Sequence, residues 1–186
     1  MNKLKTVLEI VKGQNLNATV EDDRYIVWEN SLGKTISINA KNIDIDNGKI
    51  AWFQSDEDDS LELFRIFENN TFFDFEPKTQ HPGHGCDIYL VEWLDDSLIV
   101  IYHEKHNVVI VSVKDKNVTT FEFYGDELIR RDNLLYFKEY NQKDVVRILK
   151  IPEIIELESI SREEAIKKDL LPETLGFDAI LSNKRG

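Results

Sequence analysis

An all-β fold of mostly antiparallel meanders, ending in a short helix, is what this sequence predicts, and three observations carry it. Residues 87–123 hold four apolar runs of strand length, IYLVEW, SLIVIYH, VVIVSV and VTTFEF, dominated by β-branched and aromatic residues. The polar gaps between them are short enough for hairpins, so successive runs pair antiparallel. The clearest helix signal comes after the last strand: Ser161 followed three residues later by Glu164 forms a capping box.

Taken in order, residues 2–14 are open between a helix and an edge strand. Leu4, Val7, Leu8 and Val11 follow helical spacing, but the segment is short and ends at Gly13. Asn15, Asn17 and Glu21-Asp22-Asp23 read as loop. Tyr25-Ile26-Val27-Trp28 is a strand, Ser31-Leu32-Gly33-Lys34 a turn, and Thr35-Ile36-Ser37-Ile38 a strand with one wet face. Asp46-Asn47-Gly48 is the best turn signal, because Asn-Gly supplies the positive φ of a tight hairpin. Strands follow at Ile50-Ala51-Trp52-Phe53, at residues 61–67 and at residues 71–75, with the acidic run Asp56-Glu57-Asp58-Asp59 and Glu68-Asn69-Asn70 as turns. Residues 77–86, PKTQHPGHGC, carry two prolines and two glycines and must be a loop. Beyond the central meander, a further one runs over residues 126–160, and Ala165, Ile166 and Leu170 place a helix over 162–170.

Segments recur along the chain. Asp95-Asp96-Ser97-Leu98-Ile99-Val100 matches Arg131-Asp132-Asn133-Leu134-Leu135-Tyr136, and Asn107-Val108-Val109-Ile110-Val111 matches Asp144-Val145-Val146-Arg147-Ile148. The repeat-like meanders are 34–76, 87–123 and 126–160, within one domain over residues 1–186. Trp93-Leu94-Asp95-Asp96-Ser97-Leu98-Ile99-Val100 resembles the Trp-x-x-Asp-Gly-x-apolar hairpin of β-propeller blades, and the resemblance, architectural in kind, covers roughly residues 34–160. It implies four-stranded repeats of the propeller type. A curled sheet or a two-layer sandwich would also accommodate these strands.

Composition narrows the function. The formal charge is −12, from 35 acidic and 23 basic residues. A field of that sign repels nucleic acid and anionic membranes and favours a basic protein partner or plain solubility. One cysteine excludes an internal disulfide, and the polar N-terminal stretch lacks a signal peptide's apolar core, so the expected location is cytoplasmic.

Two groups of residues could carry function. All four histidines and the cysteine fall between residues 81 and 106. If the strands around residues 88–93 and 97–103 pair, the loop holding His81, His84 and Cys86 emerges at the same sheet end as His103 and His106. Thiol and imidazole gathered there suit zinc, although neither spacing is a recognised zinc pattern. The second group is the acidic run Asp56, Glu57, Asp58 and Asp59. It lacks the glycine and distal glutamate of a calcium loop, and reads as an exposed hairpin tip available to a basic partner. Gly-rich phosphate loops, Gly-x-Ser-x-Gly and His-Glu-x-x-His are absent. The expectation is therefore a non-enzymatic interaction module needing no cofactor, possible self-association included. A metal-binding protein or metal-dependent enzyme at the His/Cys group is the alternative.

Overall fold

The computed structural model describes residues 2–14, 16–78, 85–104, 107–142 and 144–170. The all-β class holds: the described strands form two antiparallel sheets of seven strands each. Contacts gather into two compact units, Met1–Cys86 with Val91–Trp93, and Asp87–Leu90 with Leu94–Gly186.

The first unit opens with α1 (Lys3–Lys12), which settles the N-terminal segment as helix. Asn2 caps it, its side chain accepting from the Lys5 N–H at 3.3 Å. Leu4, Val7 and Val11 recur at helical spacing and are all buried. Burying such side chains contributes roughly 1.5–3 kcal/mol each, which outweighs the marginal stability of so short a helix alone. The strands are β1 (Thr19–Glu21), β2 (Tyr25–Glu29), β3 (Thr35–Asn39), β4 (Ile43–Asp46), β5 (Lys49–Asp56), β6 (Glu62–Glu68) and β7 (Thr71–Phe75). They lie in the order β1-β2-β3-β5-β6-β7, with β4 also paired to β5. β3 meets the Asp56 end of β5 and β4 the Lys49 end, so one long strand serves two short neighbours. Asn47 and Gly48 turn the β4–β5 hairpin at φ of 46° and 83°, and Asn69 and Asn70 turn β6–β7 at 51° and 59°. These are left-handed positions, where Asn and Gly are least strained. The α1 anchors pack with Ile26, Trp28, Ile36, Ile38, Ile43 and Trp52.

The second unit is a plain meander. β8 (Asp87–Leu94), β9 (Ser97–Glu104), β10 (Asn107–Lys114), β11 (Asn117–Arg131), β12 (Leu134–Glu139), β13 (Val145–Lys150) and β14 (Ile155–Ser161) lie side by side in chain order. Neighbours in sequence are neighbours in space, as the short turns require. β9 and β10 are buried almost end to end on both faces, which is why they read as continuous apolar runs without alternation.

One boundary differs from the sequence expectation. The break drawn between residues 123 and 126 is no break: β11 runs through it as one strand of 15 residues. Its first half pairs with β10 and its second with β12, with a register shift between Gly125 and Glu127. A Cβ at position 125 would come within 2.5 Å of the Phe123 ring and 2.6 Å of the Lys138 carbonyl oxygen, so only glycine fits the irregularity. Both halves of the ladder contribute to one core. Ile99, Ile101, Val108, Ile110 and Phe123 from one side meet Leu128, Leu135, Phe137 and Leu149 from the other. The Phe123 and Phe137 rings lie 4.3 Å apart between centroids.

The other face of the later ladder is covered by α2 (Arg162–Lys167). Ala165 packs there with Ile129, Tyr136, Val146, Ile148 and Ile160. The cap expected at Ser161 is present, its hydroxyl accepting from the Glu164 N–H at 3.1 Å. The helix ends at Lys167, short of the predicted residue 170. Among the described residues no helix is long and apolar enough to cross a membrane.

Candidate functional site

The acidic run splits into one buried residue and three exposed ones. Asp56 ends β5 and is only 3% exposed, whereas Glu57, Asp58 and Asp59 form the exposed turn beyond it. The division follows from the hairpin, because the last strand residue points inward while the turn leaves the sheet. The Asp56 carboxylate is fully employed. Its Oδ1 accepts from the Ser60 N–H at 2.7 Å and the Leu61 N–H at 3.2 Å. Its Oδ2 accepts from the Ser60 hydroxyl at 2.6 Å and from Lys34 Nζ at 3.0 Å. Burial alone would raise the Asp56 carboxyl. The hydrogen bonds from Ser60, Lys34 and Leu61 outweigh it and hold the group well below the usual carboxylate range. Lys34 in turn is raised, first by its bond to Asp56 and then by its bond to Asp58.

The backbone of the turn is tied down as well. The Glu57 N–H donates to the Thr35 carbonyl at 3.2 Å and the Asp59 N–H to the Asp56 carbonyl at 3.2 Å. Asp59 sits at φ 52°, a conformation aspartate tolerates better than most residues. Asp56 is therefore the residue that shapes the turn, and Glu57, Asp58 and Asp59 are the charges it presents. Lys34 reaches Asp58 at 3.2 Å, so the acidic tip carries one local counter-charge.

The His/Cys group is seen in part. His81, His84 and His106 lie outside the described residues. Cys86 belongs to the first unit, where its N–H donates to Glu62 Oε1 at 2.7 Å and its thiol to Glu62 Oε2 at 3.1 Å. His103 belongs to the second unit, on β9, with its ring 6.3 Å from that of Tyr89 on the adjacent β8. Among the described residues no three His, Cys, Asp or Glu side chains gather as a metal site would need.

The structure brings together two features that sequence order kept apart. Glu62, at the start of β6, holds Cys86, and the Asp59 carboxylate lies against Gly85. A Cβ at position 85 would come 2.9 Å from Asp59 Oδ2, and Gly85 has φ 68°. The end of the Pro/Gly-rich loop is thus fastened to the acidic hairpin. The pairing of a backbone N–H and a thiol with one carboxylate leaves no sequence signature.

A second group escaped the sequence reading altogether. A polar cavity of about 320 Å³ opens at one end of the second unit's core. Asp95, Asp96 and Ser97 reach it from the β8–β9 turn, and Ser112, Lys114 and Thr119 from β10 and β11. Asn133, Lys150, Pro152 and Glu153 complete it. Only the strand register, which places Ser112 between Ile99 and Thr119, could have grouped these residues.

No protein-family model matches the chain. No curated protein matches it either. Among solved structures, the chain is similar to the crystal structure of the WD40 domain of SCAP from fission yeast, at 8% sequence identity and a TM-score of 0.39. The match covers 75% of this chain and 42% of that one, so the chain spans less than half of the structure it resembles. The antiparallel meanders stand on the strand pairings above, independently of that likeness.

Proposed function

We propose that the chain is a non-enzymatic interaction module whose acidic β5–β6 turn engages a basic protein partner. The observation that carries this reading is the division of labour in the turn. A buried, four-fold hydrogen-bonded Asp56 fixes the backbone, and Glu57, Asp58 and Asp59 stand exposed on it. A charged tip ordered before binding loses less entropy on association than a mobile one. The overall charge of −12 adds long-range attraction for a basic surface and speeds encounter. An immunity-type protein that neutralises a basic toxin is the kind of molecule this physical type suits.

The test is affinity purification followed by kinetics on each captured partner. Association should slow steeply as salt rises, and the Glu57→Lys/Asp58→Lys double variant should slow it by roughly tenfold or more. A complex whose on-rate is insensitive to salt and to both reversals would overturn the reading.

A further inference from the structure

The hairpin turn between β2 and β3 presents a leucine that the turn itself does not need. Leu32 is 82% exposed, more than any other large apolar side chain among the described residues. The backbone around it is closed by hydrogen bonds. The Asn30 N–H donates to the Lys34 carbonyl at 2.9 Å, and the Gly33 N–H to the Asn30 carbonyl at 3.0 Å. The Asn30 side-chain oxygen accepts from the Leu32 N–H at 2.9 Å and from the Lys34 N–H at 3.0 Å. Gly33 takes the left-handed position at φ 77°. Asn30 and Gly33 thus do the work of turning, and a polar residue at position 32 would serve the turn as well. Leu32 is held out in water on a fixed backbone.

This turn adjoins the acidic one. β3 pairs with β5, with Ile36 opposite Asp56, so the β2–β3 and β5–β6 turns leave the same sheet end from adjacent strands, roughly 4.8 Å apart. Two links tie them. The Glu57 N–H donates to the Thr35 carbonyl, and Lys34 Nζ reaches Asp56 at 3.0 Å and Asp58 at 3.2 Å. Lys34 is therefore already paired and does little to oppose an arriving cation. Glu29, exposed and opposite Thr35, adds a carboxylate at the foot of the Leu32 turn. A lone exposed leucine is ordinary on a protein surface. This one shares its sheet end with Glu29, Glu57, Asp58 and Asp59, an apolar contact bordered by acids. A second copy of the chain, carrying the same acids and a charge of −12, would be repelled there. A purely apolar surface would strip water from the carboxylates and return nothing.

We infer that the two turns form one docking surface for an extended basic segment, whose apolar side chain packs on Leu32 while flanking lysines or arginines pair with Glu29, Glu57 and Asp58. The inference rests on the proposed engagement of the acidic turn by a basic protein, and names what that partner carries besides charge. Charges at the rim set the rate of encounter, whereas a desolvated apolar anchor sets how long the complex lasts. Leu32 supplies the anchor. Its backbone is ordered before binding, so little entropy is lost in fixing it.

Selection of a random peptide library, displayed on phage, against the full chain tests the assignment. The enriched peptides should carry lysine or arginine on both sides of an aliphatic or aromatic residue. Synthetic copies of them should bind Leu32→Ser about tenfold more weakly, with the loss in the dissociation rate. The melting temperature of the unliganded Leu32→Ser chain should be unchanged, because so exposed a side chain packs little in the fold. The Glu57→Lys/Asp58→Lys variant should lose association rate instead. Basic peptides that lose affinity on charge reversal, yet bind Leu32→Ser as tightly as the native chain, would overturn the inference and leave the reading of the acidic turn standing. Peptides indifferent to the charge reversal would overturn both. A selection that enriches no basic peptide overturns the inference as well.

Discussion

Replacing Asp56 with alanine should destabilise the chain by about 3 kcal/mol. The substitution removes the acceptor of the Ser60 N–H, the Leu61 N–H and the Ser60 hydroxyl together. Hydrogen bonds to a charged group contribute roughly 1.5–3 kcal/mol each. Ser60 is exposed and Leu61 only half-buried, so water replaces part of what is lost, and about 1 kcal/mol per bond is the fitting value. In a chain of this length that corresponds to a fall in melting temperature of roughly 6–12 °C. Lys34→Met should cost much less, because the half-exposed ammonium keeps part of its hydration and three of the four Asp56 bonds survive. The pH dependence has a fixed sign. The Asp56 carboxyl is depressed in the folded state, so its stabilisation is complete above the unfolded value of about 4. It is lost as pH falls from there toward the folded value, and the gap between the native chain and Asp56→Ala should narrow in acid. Urea denaturation at neutral and acidic pH measures both. A loss under about 1 kcal/mol, or a gap that widens in acid, refutes the structural role assigned to Asp56.

Other outcomes follow from the same geometry. The Glu57→Lys/Asp58→Lys variant should change stability by no more than about 0.5 kcal/mol while its partner binding falls, which separates the presented charges from the residue that shapes the turn. Gly125→Val should cost roughly 1–3 kcal/mol or prevent folding, since its Cβ would press on the Lys138 carbonyl, and a neutral result in thermal melting would remove the need for glycine there. Arg147 ion-pairs with Glu139, forks onto Glu156 at 2.7 and 2.6 Å, and lies over the Phe121 and Phe137 rings. Arg147→Lys should therefore cost about 1–2 kcal/mol by losing the planar fork and the stacking, as read from urea denaturation, despite keeping the charge. Melting curves with and without added zinc test the alternative reading, in which a zinc-dependent rise abolished by His103→Ala would move the function to the His/Cys group.

Strands and turns were legible because each rests on local chemistry. Asn47-Gly48, Asn69-Asn70 and Asp115-Lys116 all adopt positive φ, and at the first two of these turns the residue types announced it. The N-terminal helix was half legible: its spacing was visible, but burial of Leu4, Val7 and Val11 against the sheet decided between helix and edge strand. The continuity of β11 was not legible, because a glycine between two strands reads as a break unless the neighbouring Phe123 and Lys138 are known. At the acidic turn, four consecutive acids look alike in sequence, and the strand end alone sends Asp56 inward.

A strand that belongs to two ladders leaves no seam between them. Cutting the chain near residue 124 would part the half of β11 paired with β10 from the half paired with β12 and open the core where Phe123 meets Phe137. The recurring segments on either side of Gly125 cannot then be separate building blocks, to be excised or shuffled one at a time. Whatever duplication the sequence records has been welded into a single cooperative piece, which protease should attack elsewhere first.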